Sequence, residues 1–412
     1  MRKLLFICLT LINATSIFAQ NREIAVCGNE FMTNADPGVQ ELLNNNRSTS
    51  TSGTIYRIPV VFHVLTDQPT GVSNISDCII QNQIAILNNC FRRKAGAPNT
   101  NAAGADAEIE FYLARKNNSG AAITGINRVT TTNCNYTTVN SSTQISAIRG
   151  AVSASTNWPN NKYLNIFVLK TMPNTNRVRG QAWYGGTNMG VFVHYSYVGS
   201  KNSGCSNITY LDITGFKAYD LGMTVVHEVG HYLNLLHTFD NCTPGDGCTD
   251  TPPVTGVPNP LCGTDNNTKG LCSGATSRQW QNYLDYTDDA CMDRFTPCQV
   301  LRMRSVLESN FQYTNLITQN NFVATGGDIA TSIPDLTKNE KAFIYPNPTK
   351  NTIRIEQKRV TPNAEYAIIG FDGKILLKGR ITGIRQEVNV SGLKPGAYAL
   401  RVDGENYKFI KE

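Results

Sequence analysis

Eleven residues near the middle of the chain constrain its folding more than any other stretch: His227-Glu228-Val229-Gly230-His231-Tyr232-Leu233-Asn234-Leu235-Leu236-His237. They hold three of the five histidines in the sequence. On an α-helix, residues four apart differ by about 400° of rotation and about 6 Å of rise, so His227 and His231 share one face. His237 follows His227 by ten residues, which a continuous helix would carry about 15 Å along its axis. For the three imidazoles to meet, the helix has to stop near Leu233 and the chain has to turn back. A residue in the left-handed region makes such a turn. Glycine is the usual choice and asparagine the next most tolerant, and Asn234 stands at the required place.

Three converging imidazoles suit zinc and leave a fourth position open to water. Glu228 lies on the same helical turn, beside that position. It is the natural general base, and later the acid that protonates a leaving amine. An ordinary amphipathic helix would account for the first two histidines, but not for a third after a turn-competent residue. His63 and His194 lie within apolar strands and read as satisfied core histidines.

The start of the chain, MRKLLFICLTLINATSIFAQ, joins Arg2 and Lys3 to an apolar run and small residues up to Ala19. It reads as a secretory signal peptide over 1–19, and no later stretch is apolar enough for a membrane helix. Twelve cysteines in an exported chain point to disulfides. Removing Cys8 with the signal peptide leaves 12 − 1 = 11, an odd number. The net charge of +6 is small for 412 residues and is spread out, giving no argument for nucleic acid or a membrane surface.

Residues 20–53 read as a pro-segment whose polar end, 44–53, is exposed and cuttable. Arg47 there is a candidate activation site, with a plain flexible linker as the alternative. Residues 54–322 form a mixed α/β (α+β) region. Strands are expected at 55–65, 108–113, 164–169, 180–184 and 191–195. Helices are expected from a Ser76 N-cap, at 222–233 and at 297–311. Cys78 and Cys90 would lie about 18 Å apart on the first helix, beyond the roughly 7 Å reach of a disulfide, so each needs a partner elsewhere. Residues 240–277 are rich in Cys, Gly and Pro and need stapling. Residues 323–337 read as a linker. Residues 338–412 contain no cysteine and alternate in short segments, which predicts a small all-β sandwich.

The extended histidine motif resembles that of the metzincin metallopeptidases, HExxHxxGxxH followed by a methionine-containing turn. IPVVFHVL (58–65), LNNCFRR (87–93), YLNIFVL (163–169), TVVHEVGHYLNLLHTF (224–239) and NYLDYTDDACMDRFTPCQVLRM (282–303) resemble segments of the pappalysins within that group. The resemblance spans roughly 54–312. It implies a metzincin-like fold with a mixed sheet and an active-site helix, and zinc endopeptidase activity. His227, His231 and His237 would be the ligands and Glu228 the catalytic base. Asn234 replaces the family's usual glycine. Leu284 takes the Met-turn position, an apolar floor below the metal, and such a swap typically costs under about 1.5 kcal/mol. Met292 is out of register with that turn and reads as core. Tyr286 falls where the family has a tyrosine near the metal that could stabilise an oxyanion, the alternative being a packed tyrosine.

Cys27-Gly28 resembles the pro-segment cysteine of latent metzincins, whose thiolate occupies the zinc. Setting Cys27 aside leaves ten cysteines for five bridges. The alternative is a bridge from Cys27 to the core, with another thiol free. The family pattern implies Cys242–Cys272 and Cys262–Cys291, with Cys248 and Cys298 as an extra candidate pair. The same loop resembles a calcium-binding segment, with Asp246, Asp250 and Thr251 as hard oxygen ligands or simply a solvated acidic turn. Some pappalysins cut before Arg or Lys, using an acid just ahead of a cysteine. Here Ala290 precedes Cys291, with Asp288 and Asp289 slightly earlier.

Residues 338–412 resemble the type IX secretion system sorting domain of Gram-negative bacteria. The segments YPNPTKNTIRI (345–355), DGKILLKG (372–379) and VSGLKPGAYALRV (390–402) carry that likeness. It implies passage through the periplasm, release or display outside the cell, the secretion machinery as a partner, and proteins or peptides as substrates. An exported, non-catalytic zinc-containing binding protein or adhesin is the competing reading. An edge strand near 180–184 would align an extended substrate.

Overall fold

The computed structural model describes residues 53–412 apart from 94–103, 174–177, 206–218, 240, 244, 259–260, 264–266, 328–341, 346–348, 358–363, 371–373, 384 and 403–404. The expected signal peptide, Cys27 and the pro-segment up to residue 52 lie outside the described residues. The chain divides into two compact units, Met1–Ala330 and Thr331–Glu412.

The first unit is built on β1 (Tyr56–Thr66), whose buried run is apolar apart from His63 and Thr66. One flank of β1 pairs in parallel first with β2 (Ile109–Leu113) and then with β3 (Ile126–Thr130). The other flank pairs with β4 (Leu164–Leu169), and two further strands follow beyond β4. β6 (Gly190–His194) continues the parallel run, and β5 (Gly180–Trp183) closes it as an antiparallel edge. Helix α1 (Asp77–Phe91) starts at Ser76, whose side chain accepts from the Ile79 N–H as expected. Helix α2 (Ser142–Ala151) and strand β3 were not foreseen. Helix α3 (Met223–Tyr232), which carries His227 and His231, is buried along its whole length. Helix α4 (Pro297–Ser309) opens with a capping box between Thr296 and Gln299. Helix α5 (Gln319–Ala324) runs into the stretch read as linker.

α1, α3 and α4 share one apolar core with β1, β2, β4 and β6. His63 is a core histidine, held by Asn165 Oδ1 at 2.9 Å and Asn127 Nδ2 at 3.1 Å and stacked on Phe167. Burial lowers its pKa to about 3. His194 is likewise buried, 2.8 Å from Ser196 Oγ. Among the described residues, no helix is long and apolar enough to cross a membrane.

Cysteine pairing departs from the five bridges expected. Cys78–Cys205, Cys242–Cys272 and Cys262–Cys291 are disulfides, whereas Cys90, Cys134, Cys248 and Cys298 are thiols. Cys90 is sealed in the core with its sulfur 3.8 Å from Met223 Sδ, and burial pushes its pKa up to about 12. Cys134 sits in a separate apolar cluster. Both behave as small hydrophobes. An odd cysteine count therefore no longer singles out Cys27.

The second unit is a two-sheet β-structure. One sheet has the order β11-β8-β7, from Arg385–Asn389, Thr352–Gln357 and Ala342–Tyr345. The other has the order β10-β9-β12-β13, from Ile375–Arg380, Glu365–Ile369, Gly396–Val402 and Glu405–Lys411. Ile353, Ile355, Ile368, Val388, Leu400 and Phe409 fill its core. The sequence pattern missed β7 and β13.

Candidate metal centre

The turn after α3 forms as its chemistry requires. Asn234 has φ +70°, in the left-handed region. Its N–H reaches His231 O at 2.9 Å, and the Leu235 N–H reaches Gly230 O at 3.0 Å. These two bonds make a Schellman motif, which satisfies the last helical carbonyls while reversing the chain. Arg302 of α4, fully buried, pins the turn through Nε to Asn234 O at 2.6 Å.

The reversal brings the three histidines together. His231 Nε2 lies 3.0 Å from both His227 Nε2 and His237 Nε2, and the latter two are 3.3 Å apart. Hydrogen bonding among these nitrogens does not explain the triangle. His227 Nδ1 is 2.7 Å from Tyr283 O, and His231 Nδ1 is 2.8 Å from Leu235 O. Carbonyls only accept, so each of those Nδ1 atoms carries the hydrogen and each Nε2 of the neutral ring turns a lone pair inward. Burial, reinforced by the neighbouring imidazoles, holds both rings well below the usual histidine pKa, so they stay neutral. Inward lone pairs this close repel unless a cation lies among them. A tetrahedral ion with bonds of 2.0–2.1 Å spans ligand edges of about 3.3 Å, so the donor set fits zinc in size and type.

Glu228 is buried beside His227, and both line a small cleft with Arg179, Met223, Thr224 and Met292. The edge strand β5 lies directly on Glu228: a Cβ added at Gly180 would fall 2.6 Å from its Cγ and 2.7 Å from its Oε1. Only glycine permits that approach. A glycine opening an edge strand is the sequence signal for such a close approach. Met292 is a core residue, as expected, and also lines the cleft.

Below the histidines, the turn 282–285 acts as a brace. Leu284 is fully buried, and a Cβ at Gly230 would come within 3.0 Å of its Cδ2, so leucine fills the floor against α3. Tyr283 supplies the carbonyl that orients His227. Asn282 is locked to Gln299 at 2.8 Å and also accepts from the Leu284 N–H. Asp285 receives Arg278 through two bonds, 2.9 and 2.8 Å, with neither side chain exposed. Tyr286 packs its ring 4.9 Å from His237 and 5.7 Å from His227. Arg302, Arg278 and Asp285 carried no sequence signal, because their roles arise from long-range packing.

In the loop after the motif, Asp246 Oδ1 accepts from Thr251 Oγ1 at 2.5 Å and from the Cys248 N–H at 3.0 Å. Asp250 instead faces α4, accepting from Thr296 Oγ1 at 2.7 Å and the Cys298 N–H at 2.8 Å. Asp250 thus caps α4. Cys248 and Cys298 lie close together as thiols beside Asp250, not as the expected extra bridge.

Residues 148–308 match the family model described as pregnancy-associated plasma protein-A, and residues 343–412 match that of a secretion system C-terminal sorting domain. The structure is similar to mature mirolysin of Tannerella forsythia in complex with a cleaved peptide. That likeness has 31% identity and a TM-score of 0.52, and covers 67% of this chain and 99% of mirolysin. An extracellular metalloprotease of Verticillium alfalfae is 29% identical over 260 residues, 60% of this chain and 74% of that protein. Extracellular metalloprotease 1 of Coccidioides posadasii is 41% identical over 90 residues. That match takes in 21% of this chain and 31% of the relative, so the chain spans about a third of the first curated relatives it matches. With its histidine triangle, its mixed sheet and its all-β end, the chain belongs to the pregnancy-associated plasma protein-A family of metallopeptidases and carries a type IX secretion C-terminal sorting domain.

Proposed function

We propose that this protein is a secreted zinc endopeptidase acting on extracellular proteins. The observation that carries the reading is the triangle of inward Nε2 atoms, 3.0–3.3 Å on a side, beside the buried carboxylate of Glu228. His227, His231 and His237 would hold zinc, which when bound supplies Lewis acidity and lowers the pKa of a water toward about 7. Glu228 takes a proton from the attacking water and delivers it to the leaving amine. Tyr286 donates its phenol to the developing oxyanion. β5 is the last strand of the sheet among the described residues, and main-chain pairing along it would align an extended substrate, a role supported by that place and by its contact with Glu228.

The domain plan completes the reading. Residues 1–19 direct export and 20–53 maintain latency through Cys27. Residues 54–322 catalyse, and 338–412 engage the type IX machinery. Calcium at Asp246, Asp250 and Thr251 is a subsidiary proposal motivated by their oxygen chemistry, checked by whether added calcium raises the melting temperature. The test of the main reading is cleavage of a protein substrate by the matured chain, with chelator and Glu228→Ala as controls. Loss of cleavage in both controls supports it. Unchanged cleavage in Glu228→Ala overturns it, as does silence from a zinc-loaded wild type, which favours a non-catalytic binding protein.

A further inference from the structure

The cleft beside Glu228 contains a cation that the peptidase chemistry does not use. Arg179 immediately precedes β5, with its carbonyl held by the His194 N–H at 3.0 Å. Its side chain is 95% buried, being 5% exposed, and lines the cleft with Met223, Thr224 and Met292. The guanidinium lies 3.8 Å over the Tyr219 ring. Nη1 makes one long contact, 3.5 Å, to Thr224 Oγ1, and Nε has no hydrogen-bond partner among the described residues. A guanidinium has five donors in a fixed fork matched to a carboxylate, so this one is underused.

Two nearby acids, Asp289 and Asp220, do not take up that capacity. Asp289 attracts Arg179 through its charge, but its Oδ2 is committed to the Leu221 and Met223 N–H groups at 2.9 and 3.2 Å. No hydrogen bond joins it to Arg179 among the described residues, and it does not line the cleft. Asp220 is paired with Lys201 at 2.9 Å. Apart from His227, Glu228 and Thr224, the walls therefore present two methionines and a positive fork. A basic substrate side chain would meet like charge there, while a carboxylate would complete the fork.

Resting on the peptidase reading above, we propose that Arg179 is a specificity-determining residue: it selects substrates with Glu or Asp at the position flanking the scissile bond that enters this cleft. This reverses the basic preference of the pappalysins that cut before Arg or Lys.

The test uses the matured, zinc-loaded protein on a peptide library, with sequencing of the product ends. It is followed by kcat/KM for matched peptides carrying Glu or Gln at the enriched position. A charge-assisted bond in a buried site predicts a Glu/Gln ratio of about 10–100 in the wild type. The ratio should collapse to about 1 in Arg179→Met, mainly through KM, and be only partly retained in Arg179→Lys, which keeps the charge but not the fork. Zinc content and thermal melting of each variant separate misfolding from lost selectivity, and the wild-type ratio stands whether or not Arg179→Met folds. A wild-type ratio at or below 1, enrichment of Arg or Lys, or an unchanged ratio in folded Arg179→Met overturns the inference while leaving the peptidase reading intact. No cleavage of any peptide by the wild type overturns both.

Discussion

The two units of this protein treat charge in opposite ways. In the first, polar and ionic groups are taken into the interior and used as braces: Arg278–Asp285, Arg302 on the Asn234 turn, His63 between two asparagines. In the second, the core cluster is apolar, buried polar side chains among the described residues are limited to Thr349 and Lys411, and the ion pairs Arg354–Glu387, Arg385–Glu356 and Arg380–Glu365 lie toward solvent. Burying a charge is costly unless it is paired and hydrogen-bonded, so a fold tolerates it where position matters more than stability. Two of these braces, Arg302 and Arg278–Asp285, hold the turns that position the histidine triangle. The difference marks which unit needs atoms held to fractions of an ångström and which needs only a stable surface.

The comparison is broken most severely at Asp285. Asp285→Ala leaves Arg278 buried without its counter-charge, and the first unit should lose about 3–5 kcal/mol in a denaturant melt. A loss comparable to that of a surface pair would mean the brace is ornamental. Acid should act on the same unit next. Burial holds the His63 pKa at about 3, against a usual value of 6.5, so the unfolded chain binds its proton first. Stability is therefore complete above pH 6.5 and falls as pH drops from there toward 3, by a few kcal/mol from this residue. All five histidines belong to the first unit, so acid acts on the second by other groups. Urea melts at pH 7 and pH 4.5 measure the slope, and His63→Gln should flatten it.

The turn offers a finer test. Asn234→Val forces a β-branched residue to φ +70° and should cost about 1–2 kcal/mol or more, with weakened zinc retention, whereas Asn234→Gly should keep both within about 1 kcal/mol. Equal behaviour of the two variants would show that backbone strain at 234 is not what shapes the site. The smallest effect belongs to the second unit. Arg354→Ala should change stability by no more than about 1 kcal/mol, because an exposed pair gains little over hydration.

What could be read from the sequence follows the same division between local and long-range physics. The histidine-bearing helix, its stop and the conformation of Asn234 are local: a period of 3.6, a special φ and a spacing. The alternating strands of the C-terminal sandwich were legible for the same reason. Helix α2 was not, since only Ile145, Ile148 and Arg149 along it are buried and its pattern is mostly polar. β3 is a partly exposed strand without alternation. The cysteine arithmetic failed because Cys90 and Cys134 became core side chains in separate clusters, and a count cannot report who lies within reach. Gly180, Arg179 and Arg302 gained their meaning only when strand β5 and helix α4 came to lie beside α3.

The central claim is that one buried triangle of imidazoles and one carboxylate make a hydrolytic centre. The most direct measurement pairs zinc stoichiometry with protein cleavage in the matured wild type and in Glu228→Ala. The account predicts one zinc per chain in both, with cleavage falling by about 10²–10⁴ or more in the variant. Full cleavage by Glu228→Ala, or none by a wild type holding its zinc, would contradict it.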